Sequence, residues 1–194
     1  MKILGLYNND LALELFQKLT ELGHEVVLWK ERLDPEWCKK ERFDLALSYT
    51  YRYIITEDVI DSLDGNVVNL HNSFLPWNRG ADPNLWSIAE KTPRGVTLHY
   101  VNAGLDKGDV IAQKLVNDTD EETLESSYMN LHKAAISLFL DTLPWFAHWQ
   151  GMRKKPLGKG SYHSVKDGER MKSVIESYQL TVSEFRRLLQ NMTL

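Results

Sequence analysis

Apolar and polar positions along residues 1–71 follow a regular succession of strand-like and helix-like segments. Short apolar runs bounded by turn residues predict buried strands, and apolar residues at every third or fourth position predict helices. The predicted strands are residues 2–7, 25–29, 44–49 and 67–71, and the predicted helical segments are residues 10–22, a short turn opened by Asp34-Pro35, and residues 56–63. Strands that alternate with helices indicate an α/β fold with a mainly parallel, twisted sheet and helices on both faces.

The regular pattern stops after residue 73. The segment 74–82 contains Pro76 and Gly80 without periodicity, which predicts a loop. The later predicted elements are a helix at residues 83–90, strands at 95–101 and 109–116, a turn-rich loop at 102–108 and a long helix that Pro144 ends or kinks.

Capping boxes predict where helices in the second half begin. In such a box a Ser or Thr caps the helix, and a Glu three residues later returns the hydrogen bond. Thr119 with Glu122 predicts the start of the long helix. Thr181 with Glu184 predicts a helix start in the tail, which has a helical pattern from Asp167 onward.

The length of 194 residues accommodates one hydrophobic core. We therefore expect residues 1–150 to form the domain that carries the chemistry. Residues 151–194 are expected to be a short helical extension, packed on the same domain and joined by a basic connector at 151–160. One face of the tail is apolar, and it either forms a homodimer interface or packs on the sheet. Its members are Phe185, Leu188, Leu189 and Met192.

Composition and charge narrow the function. A net charge of −4 is not the basic excess typical of proteins that bind nucleic acid, so small-molecule chemistry is favoured. The single cysteine, Cys38, excludes an internal disulfide framework and offers no cysteine cluster for a metal. A reducing, cytoplasmic compartment fits this cysteine usage, and no apolar window is long enough for a membrane span. We therefore expect no metal, no nucleic acid and no membrane among the partners.

The turn after the first strand lacks a phosphate cradle. Residues 7–10 read Tyr-Asn-Asn-Asp, without the glycines of a dinucleotide or ATP motif. A dinucleotide or ATP site at this turn is therefore disfavoured. The ligand is still expected beyond the carboxyl ends of the strands, where open α/β sheets bind their ligands.

Three polar residues form a candidate catalytic group. Asn69 and His71 are two positions apart on a predicted strand, so their side chains share a face at its carboxyl end. Asp106 lies in the loop after the next strand, and it reaches the imidazole if the two strands are neighbours. A carboxylate there would orient the ring and favour imidazolium. This set suits acid–base chemistry at a carbonyl without a covalent nucleophile, although an Asn-x-His pair on a strand is also common as a structural pair.

The segments around these residues resemble the formyltransferase family that uses 10-formyltetrahydrofolate. The matching segments are NLHNSFLP at residues 69–76, Gly80, GVTLH at 95–99 and LDKGDVI at 105–111. Their order and spacing are similar to the family signature N-x-H-x-S-x-L-P, a later glycine and L-D-x-G. The family usually has Pro after the histidine, where this chain has Asn72.

The resemblance implies a Rossmann-like formyltransferase fold and places Asn69, His71 and Asp106 in the catalytic positions. An amine would attack the formyl carbon, Asn69 and protonated His71 would stabilise the carbonyl oxygen, and Asp106 would support His71. The resemblance also implies contacts to the folate, the co-substrate, from residues at two strand ends. These are Arg52, Tyr53, Ile54, Val101, Ala103, Gly104 and Leu105.

The formyl acceptor is predicted to be an amino sugar carried on a nucleotide, in a pseudaminic-type or another deoxyamino sugar pathway. Stacking, hydroxyl-binding and diphosphate-binding groups are expected in the loop after the motif and at the start of the next helix. They are Ser73, Trp77, Asn78, Arg79, Gly80 and Asn84. The alternatives are a phosphoribosylglycinamide formyltransferase and an enzyme like methionyl-tRNA formyltransferase. The non-glycine turn after the first strand disfavours the first, and the acidic charge and short tail disfavour the second.

Overall fold

A computed structural model describes residues 1–117 and 119–191 and shows an α/β architecture around a six-stranded sheet. The order of strands across the sheet is β2-β1-β3-β4-β6-β7. These strands are β1 (Lys2–Leu6), β2 (Glu25–Trp29), β3 (Leu45–Tyr49), β4 (Val67–His71), β6 (Gly95–Tyr100) and β7 (Val110–Leu115). Two short strands, β5 (Arg79–Gly80) and β8 (Tyr162–His163), pair separately and in parallel.

Helices and further turns connect these strands. The α-helices are α1 (Leu13–Glu21), α2 (Pro35–Glu41), α3 (Glu57–Ser62), α4 (Pro83–Glu90), α5 (Leu124–Thr142), α6 (Trp149–Met152), α7 (Val165–Lys172) and α8 (Val182–Asn191). Short 3-10 turns lie at Asp10–Ala12 and Leu143–His148. The predicted element at 10–22 is therefore a 3-10 turn followed by α1, and α5 ends just before Pro144, as predicted.

The sheet has a parallel half and an antiparallel half. Strands β2, β1, β3 and β4 are parallel to one another, which confirms the prediction from the alternating pattern. Strand β6 runs antiparallel to β4, with His71 opposite Thr97 and Asn69 opposite His99, and β7 is antiparallel to β6. The strands β4 and β6 are thus neighbours, as the candidate site requires.

Helices cover both faces of the sheet. On one face, a core of buried residues such as Leu47, Leu70 and Leu98 packs with residues of α1 and α5 such as Phe16 and Phe139. On the other face a smaller core, which includes Ala46, Val59 and Val67, packs with α2 and α3. Asn69 and His71 alternate with Val68 and Leu70 along β4, so they face the side of the smaller core.

The start of the long helix corrects one prediction. Thr119 and Glu122 do exchange hydrogen bonds, at 3.3 Å each, but they precede the helix. The N-cap of α5 is Thr123, which forms a capping box with Ser126. The sequence contains two overlapping Thr signals, and the later one is used because Thr123 also pairs with Thr181 of the tail. The box formed by Thr181 and Glu184 is confirmed at the start of α8.

The residues after 150 attach to the rest of the chain at several places. The connector joins β7, since the backbone of Lys154 exchanges hydrogen bonds with Val110 at 2.8 and 2.9 Å. The apolar face of the tail packs mainly on α4 and not on the sheet: Phe185 is fully buried in a cluster with Leu85 and Ile88, and Leu189 is half-buried at its edge. Leu188 is half-buried, and Met192 lies outside the described residues.

None of the helices in 1–117 and 119–191 combines the length and the apolar character needed to cross a membrane. Within the same residues, His, Cys, Asp and Glu side chains form no group of three that could hold a metal ion.

Candidate active site

The three predicted catalytic side chains converge. The amide nitrogen of Asn69 is 3.4 Å from Oδ1 of Asp106, and Nε2 of His71 is 3.7 Å from Oδ2 of the same carboxylate. Asn69 and His71 come from the same face of β4, as their two-residue spacing predicts. Asp106 comes from the loop that connects β6 to β7 and returns over that face. The geometry therefore brings a carboxamide, an imidazole and a carboxylate to one place.

Asp106 is held in an unusual backbone and electrostatic environment. Its φ is 51°, in the left-handed region, and its side chain is only 9% exposed. The backbone N–H of Gly80 donates to Oδ2 at 2.9 Å. Burial raises the pKa of this carboxyl, but His71, His99 and the Gly80 N–H outweigh burial and hold its pKa well below the usual range. Asp106 is therefore a buried carboxylate that stays ionised beside two imidazole rings.

The protonation of His71 at Nε2 follows from its partners. Besides Asp106, Nε2 lies 3.2 Å from the carbonyl oxygen of Asn78, which can only accept a hydrogen bond. The nitrogen that faces both oxygens therefore carries a hydrogen.

His99 is a part of the site that the sequence did not single out. Its Nε2 is 3.3 Å from the Asn69 amide nitrogen and 3.6 Å from Oδ1 of Asp106. Its Nδ1 lies 2.8 Å from the carbonyl of Tyr100, so Nδ1–H donates there. In the neutral ring Nε2 then accepts from Asn69. The sequence contained one clue to His99, its position on the strand that pairs with β4. The antiparallel register of the two strands places it opposite Asn69.

Three residues that were predicted to touch the acceptor are buried in the protein. Ser73 is 1% exposed, and its hydroxyl donates to the carbonyl of Trp77. Asn78 is 0% exposed, and its amide bonds Ser161 and Thr92 in either orientation of the amide.

Asn84 is also buried, and its Oδ1 accepts hydrogen bonds from Arg94 and Ser127. The side chains of Ser73, Asn78 and Asn84 therefore shape the loop and helix α4. In the sequence, polar side chains in a loop look alike whether they face solvent or satisfy buried backbone groups, and a substrate contact by these three residues stays a prediction.

The other acceptor-loop residues remain accessible or lie at the site. Trp77 is 36% exposed, which leaves much of its indole free to stack. Arg79 is half-buried, with Nε donating to the carbonyl of Ser161 at 3.2 Å. Gly80 contacts Asp106 through its backbone, and a Cβ there would lie 2.3 Å from the carbonyl of His163. The glycine is required because His163 approaches so closely.

The residues predicted to contact folate form two exposed segments. After β3, Arg52 is exposed and donates to the hydroxyl of Tyr53, and Ile54 is 77% exposed. After β6, Ala103 is exposed and Leu105 is 51% exposed. Val101 and Gly104 of the same loop are half-buried. The structure therefore presents apolar side chains at the surface next to Asp106.

Similarity to solved structures extends over nearly the whole chain. The structure of the formyltransferase PseJ from Anoxybacillus kamchatkensis, in complex with UDP-4,6-dideoxy-4-formamido-L-AltNAc and tetrahydrofolate, superposes with a TM-score of 0.84 and 34% identity. The match covers 95% of this chain and 97% of that chain. A 4-N formyltransferase from Francisella tularensis has the same fold, with a TM-score of 0.79, 21% identity and coverage of 96% and 86%.

Similarity to curated sequences covers a shorter part. Methionyl-tRNA formyltransferase from Listeria monocytogenes serotype 4a (strain HCC23) is 35% identical over 104 residues, which is 53% of this chain and 33% of that protein. The match thus spans only about a third of the relative's length. The family model described as formyl transferase matches residues 30–143, which is more than half of the chain and includes Asn69, His71, His99 and Asp106. The chain therefore belongs to the formyl transferase family, with the Rossmann-like fold of that family.

Proposed function

We propose that this protein is an N-formyltransferase that moves a formyl group from 10-formyltetrahydrofolate to the amine of an amino sugar carried on a nucleotide. The observation that carries the proposal is the convergence of Asn69 and His71 on the buried carboxylate of Asp106. A structural Asn-x-His pair does not need an ionised carboxylate in a poorly solvated position, since burying a charge is costly unless it is used or well paired.

The chemistry of the site follows from which groups donate. Asn69 Nδ2–H and His71 lie on one face of β4, and both would bond the oxygen of the reacting carbonyl as negative charge develops on it. Asn69 would give up its contact with His99 or Asp106 to do so. One such donor typically contributes about 3 kcal/mol to the transition state. Asp106 holds the His71 ring through Nε2 and relays the proton that the attacking amine loses, directly or through water. The bond between the formyl carbon and N10 of the folate breaks, and N10 takes up that proton, so the products are a formamide and tetrahydrofolate.

The residues near the site fit a folate. The bound folate would supply the formyl group as an amide that an amine can attack. Leu105 and Ala103 expose apolar surface beside Asp106, which suits the flat rings of such a ligand. The guanidinium groups of Arg52 and Arg32 both lie over the ring of Tyr53, at 4.7 and 4.8 Å from its centroid. We propose that these two segments hold the folate through Arg52, Tyr53, Ile54, Val101, Ala103, Gly104 and Leu105.

The nucleotide-sugar acceptor is supported by similarity and by the acceptor loop. PseJ, which resembles this chain over nearly its full length, was crystallised with a UDP-linked formamido sugar and tetrahydrofolate. In this chain Trp77 exposes an indole that can stack on a base or sugar, and Arg79 brings a guanidinium close to Gly80 and the site. Trp77 and Arg79 are therefore the proposed acceptor contacts, together with the backbone of Gly80.

The turn after β1 disfavours a phosphorylated ribose acceptor. The N–H groups of Asn8 and Asn9, which would form a phosphate nest there, donate to the hydroxyl of Thr50 at 3.3 and 3.1 Å. Lys30 and Asp10 form an ion pair at 2.8 Å beside this turn. The turn is thus tied to the end of β3, and the N–H groups of Asn8 and Asn9 are already bonded there.

A turnover panel tests the proposal. Purified protein is incubated with 10-formyltetrahydrofolate and, separately, UDP- and dTDP-linked amino sugars, glycinamide ribonucleotide and methionyl-tRNA. We expect formamide product and tetrahydrofolate with at least one nucleotide amino sugar and slower turnover with the other acceptors. Faster turnover of glycinamide ribonucleotide or methionyl-tRNA would reassign the acceptor, and binding without transfer to any of them would refute the enzymatic function.

We also propose that residues 1–150 are the catalytic domain and that residues 151–194 are an extension packed on it. The support is the shared cluster in which Met171, Val182 and Phe185 pack with Leu85 and Ile88. The strand pairing of Arg79–Gly80 with Tyr162–His163 further joins the extension to the acceptor loop.

A further inference from the structure

The loop that contains Asn78 and Gly80 makes one backbone contact to His71 and another to Asp106. The carbonyl of Asn78 accepts from His71 Nε2 at 3.2 Å, and the N–H of Gly80 donates to Asp106 Oδ2 at 2.9 Å. The positions of these two backbone groups therefore affect the ring and the carboxylate together. Any residue that fixes the position of this loop therefore also affects how His71 and Asp106 are placed.

The loop is held by Ser161, which is far away in the sequence. The peptide between Asn78 and Arg79 is bonded at both ends: its carbonyl faces His71, and its N–H donates to the carbonyl of Ser161 at 3.1 Å. The hydroxyl of Ser161 accepts from the N–H of Asn78 at 2.9 Å and bonds the buried Asn78 amide at 2.9 Å. The N–H of Ser161 donates to the carbonyl of Pro76 at 3.2 Å.

A further backbone hydrogen bond joins the same two segments next to Ser161. The N–H of Ala81 donates to the carbonyl of His163 at 2.9 Å. The ring of His163 stacks on Trp86 at 3.8 Å between centroids, and its Nε2 lies 3.3 Å from Glu90. The segment that carries Ser161 is thus fixed to α4 as well as to the loop, so it can act as a rigid support.

We propose that Ser161 is a positioning residue for the His71–Asp106 pair, acting through the peptide between Asn78 and Arg79. Its hydroxyl bonds both the backbone N–H and the side-chain amide of Asn78, whose φ of 53° is left-handed and whose carbonyl faces His71. Thr92 bonds only the side-chain amide. Loss of the hydroxyl leaves the buried N–H and the buried amide of Asn78 without that partner. The backbone of Asn78, and with it the direction of its carbonyl, can then shift although the Arg79 N–H stays bonded to the carbonyl of Ser161. This inference rests on the proposed function for its kinetic test but not for its structural test.

The kinetic test compares Ser161→Ala with Ser164→Ala. Both changes remove one hydroxyl from the same segment, but the Ser164 hydroxyl caps α7 through Asp167. We expect Ser161→Ala to lower kcat by roughly tenfold to a hundredfold, the range for a small misplacement of reacting groups, with both KM values changed much less. Ser164→Ala is expected to keep the wild-type kcat. Equal kcat values for the two variants would overturn the proposal.

A second measurement needs no turnover. The imidazole nitrogens of His71 are observed by NMR in the whole protein, with the signal assigned from its absence in His71→Ala. We expect the His71 signals to move in Ser161→Ala and to stay in place in Ser164→Ala. Unchanged signals in Ser161→Ala would overturn the positioning role even if the enzyme is active. If the wild type transferred no formyl group, the proposed function would fail while this result still decided the role of Ser161.

Discussion

Two buried histidines on opposite faces of the sheet have different partners. His71 lies on the face of the smaller core, where loops cover the sheet, and its partner Asp106 is 9% exposed. His132 of α5 lies on the face of the larger core, and its Nδ1 is 2.8 Å from the hydroxyl of Tyr49. The carboxylate near His132, that of Glu14, is 52% exposed.

The burial of the acid distinguishes the two groups. Glu14 is largely screened by water, and burial raises the pKa of Tyr49, so the phenol beside His132 stays neutral. Asp106 is ionised and poorly solvated, so water screens its attraction to the His71 ring less than it screens the attraction between Glu14 and His132. The comparison favours a structural role for His132 and Tyr49, and it fits the catalytic role that we propose for the His71 group.

The largest expected effect is on turnover. His71→Ala and Asp106→Asn should each lower kcat by about 100-fold or more, because they remove a donor at the reacting carbonyl or the group that supports it. Steady-state kinetics with 10-formyltetrahydrofolate and the best acceptor measure this. The matched control on the other face is His132→Phe, for which kcat should stay within about threefold of the wild type. Near-normal turnover in either site variant contradicts the mechanism.

Next in size is an effect on the acceptor. Arg79→Ala should raise the KM for the nucleotide sugar by about tenfold, because a charge-assisted contact to a diphosphate is lost. The KM for 10-formyltetrahydrofolate should change little. A change confined to the folate would show that Arg79 lies on the donor side, and no change would remove it from the binding site.

A smaller effect, on stability, is expected for a substitution on the face of the sheet that α1 and α5 cover. Tyr49→Phe removes the buried partner of His132 and should lower the free energy of unfolding by about 1 to 3 kcal/mol. Denaturant unfolding measures the loss, and kcat at a temperature where the variant is folded should match the wild type. A fall in kcat as large as that of Asp106→Asn would contradict the structural role of Tyr49.

The smallest effect concerns acid stability. The pKa of Asp106 is lower in the folded chain than in the unfolded chain, where an aspartate titrates near 3.9. Its stabilisation is therefore complete above about pH 5 and is lost as the pH falls through the folded pKa. In Asp106→Asn the free energy of unfolding should fall less steeply between about pH 4 and pH 2 than in the wild type. Parallel curves would show that the carboxylate adds no stability.

The sequence determined much of the fold and the centre of the site. Short apolar runs predicted the strands and apolar residues at every third or fourth position predicted the helices, because the strands are covered on both faces and the helices bury one face. The spacing of Asn69 and His71 put both on one face, and the motif around them added Asp106. Whether β6 would run parallel or antiparallel was not decided by any local pattern, and that direction placed His99 opposite Asn69.

Only the tertiary structure decided which polar loop residues are available to a ligand. Ser73, Asn78 and Asn84 resemble binding residues in the sequence, yet each is buried: Ser73 bonds Trp77 within its own loop, and Asn84 bonds Ser127 in another element. Asn78 is bonded to Ser161 across 83 positions, a pairing that depends on where two distant segments meet. Local periodicity predicts which face of a strand or helix a residue occupies. The partners of buried polar groups depend on long-range packing, which cannot be read from the order of residues.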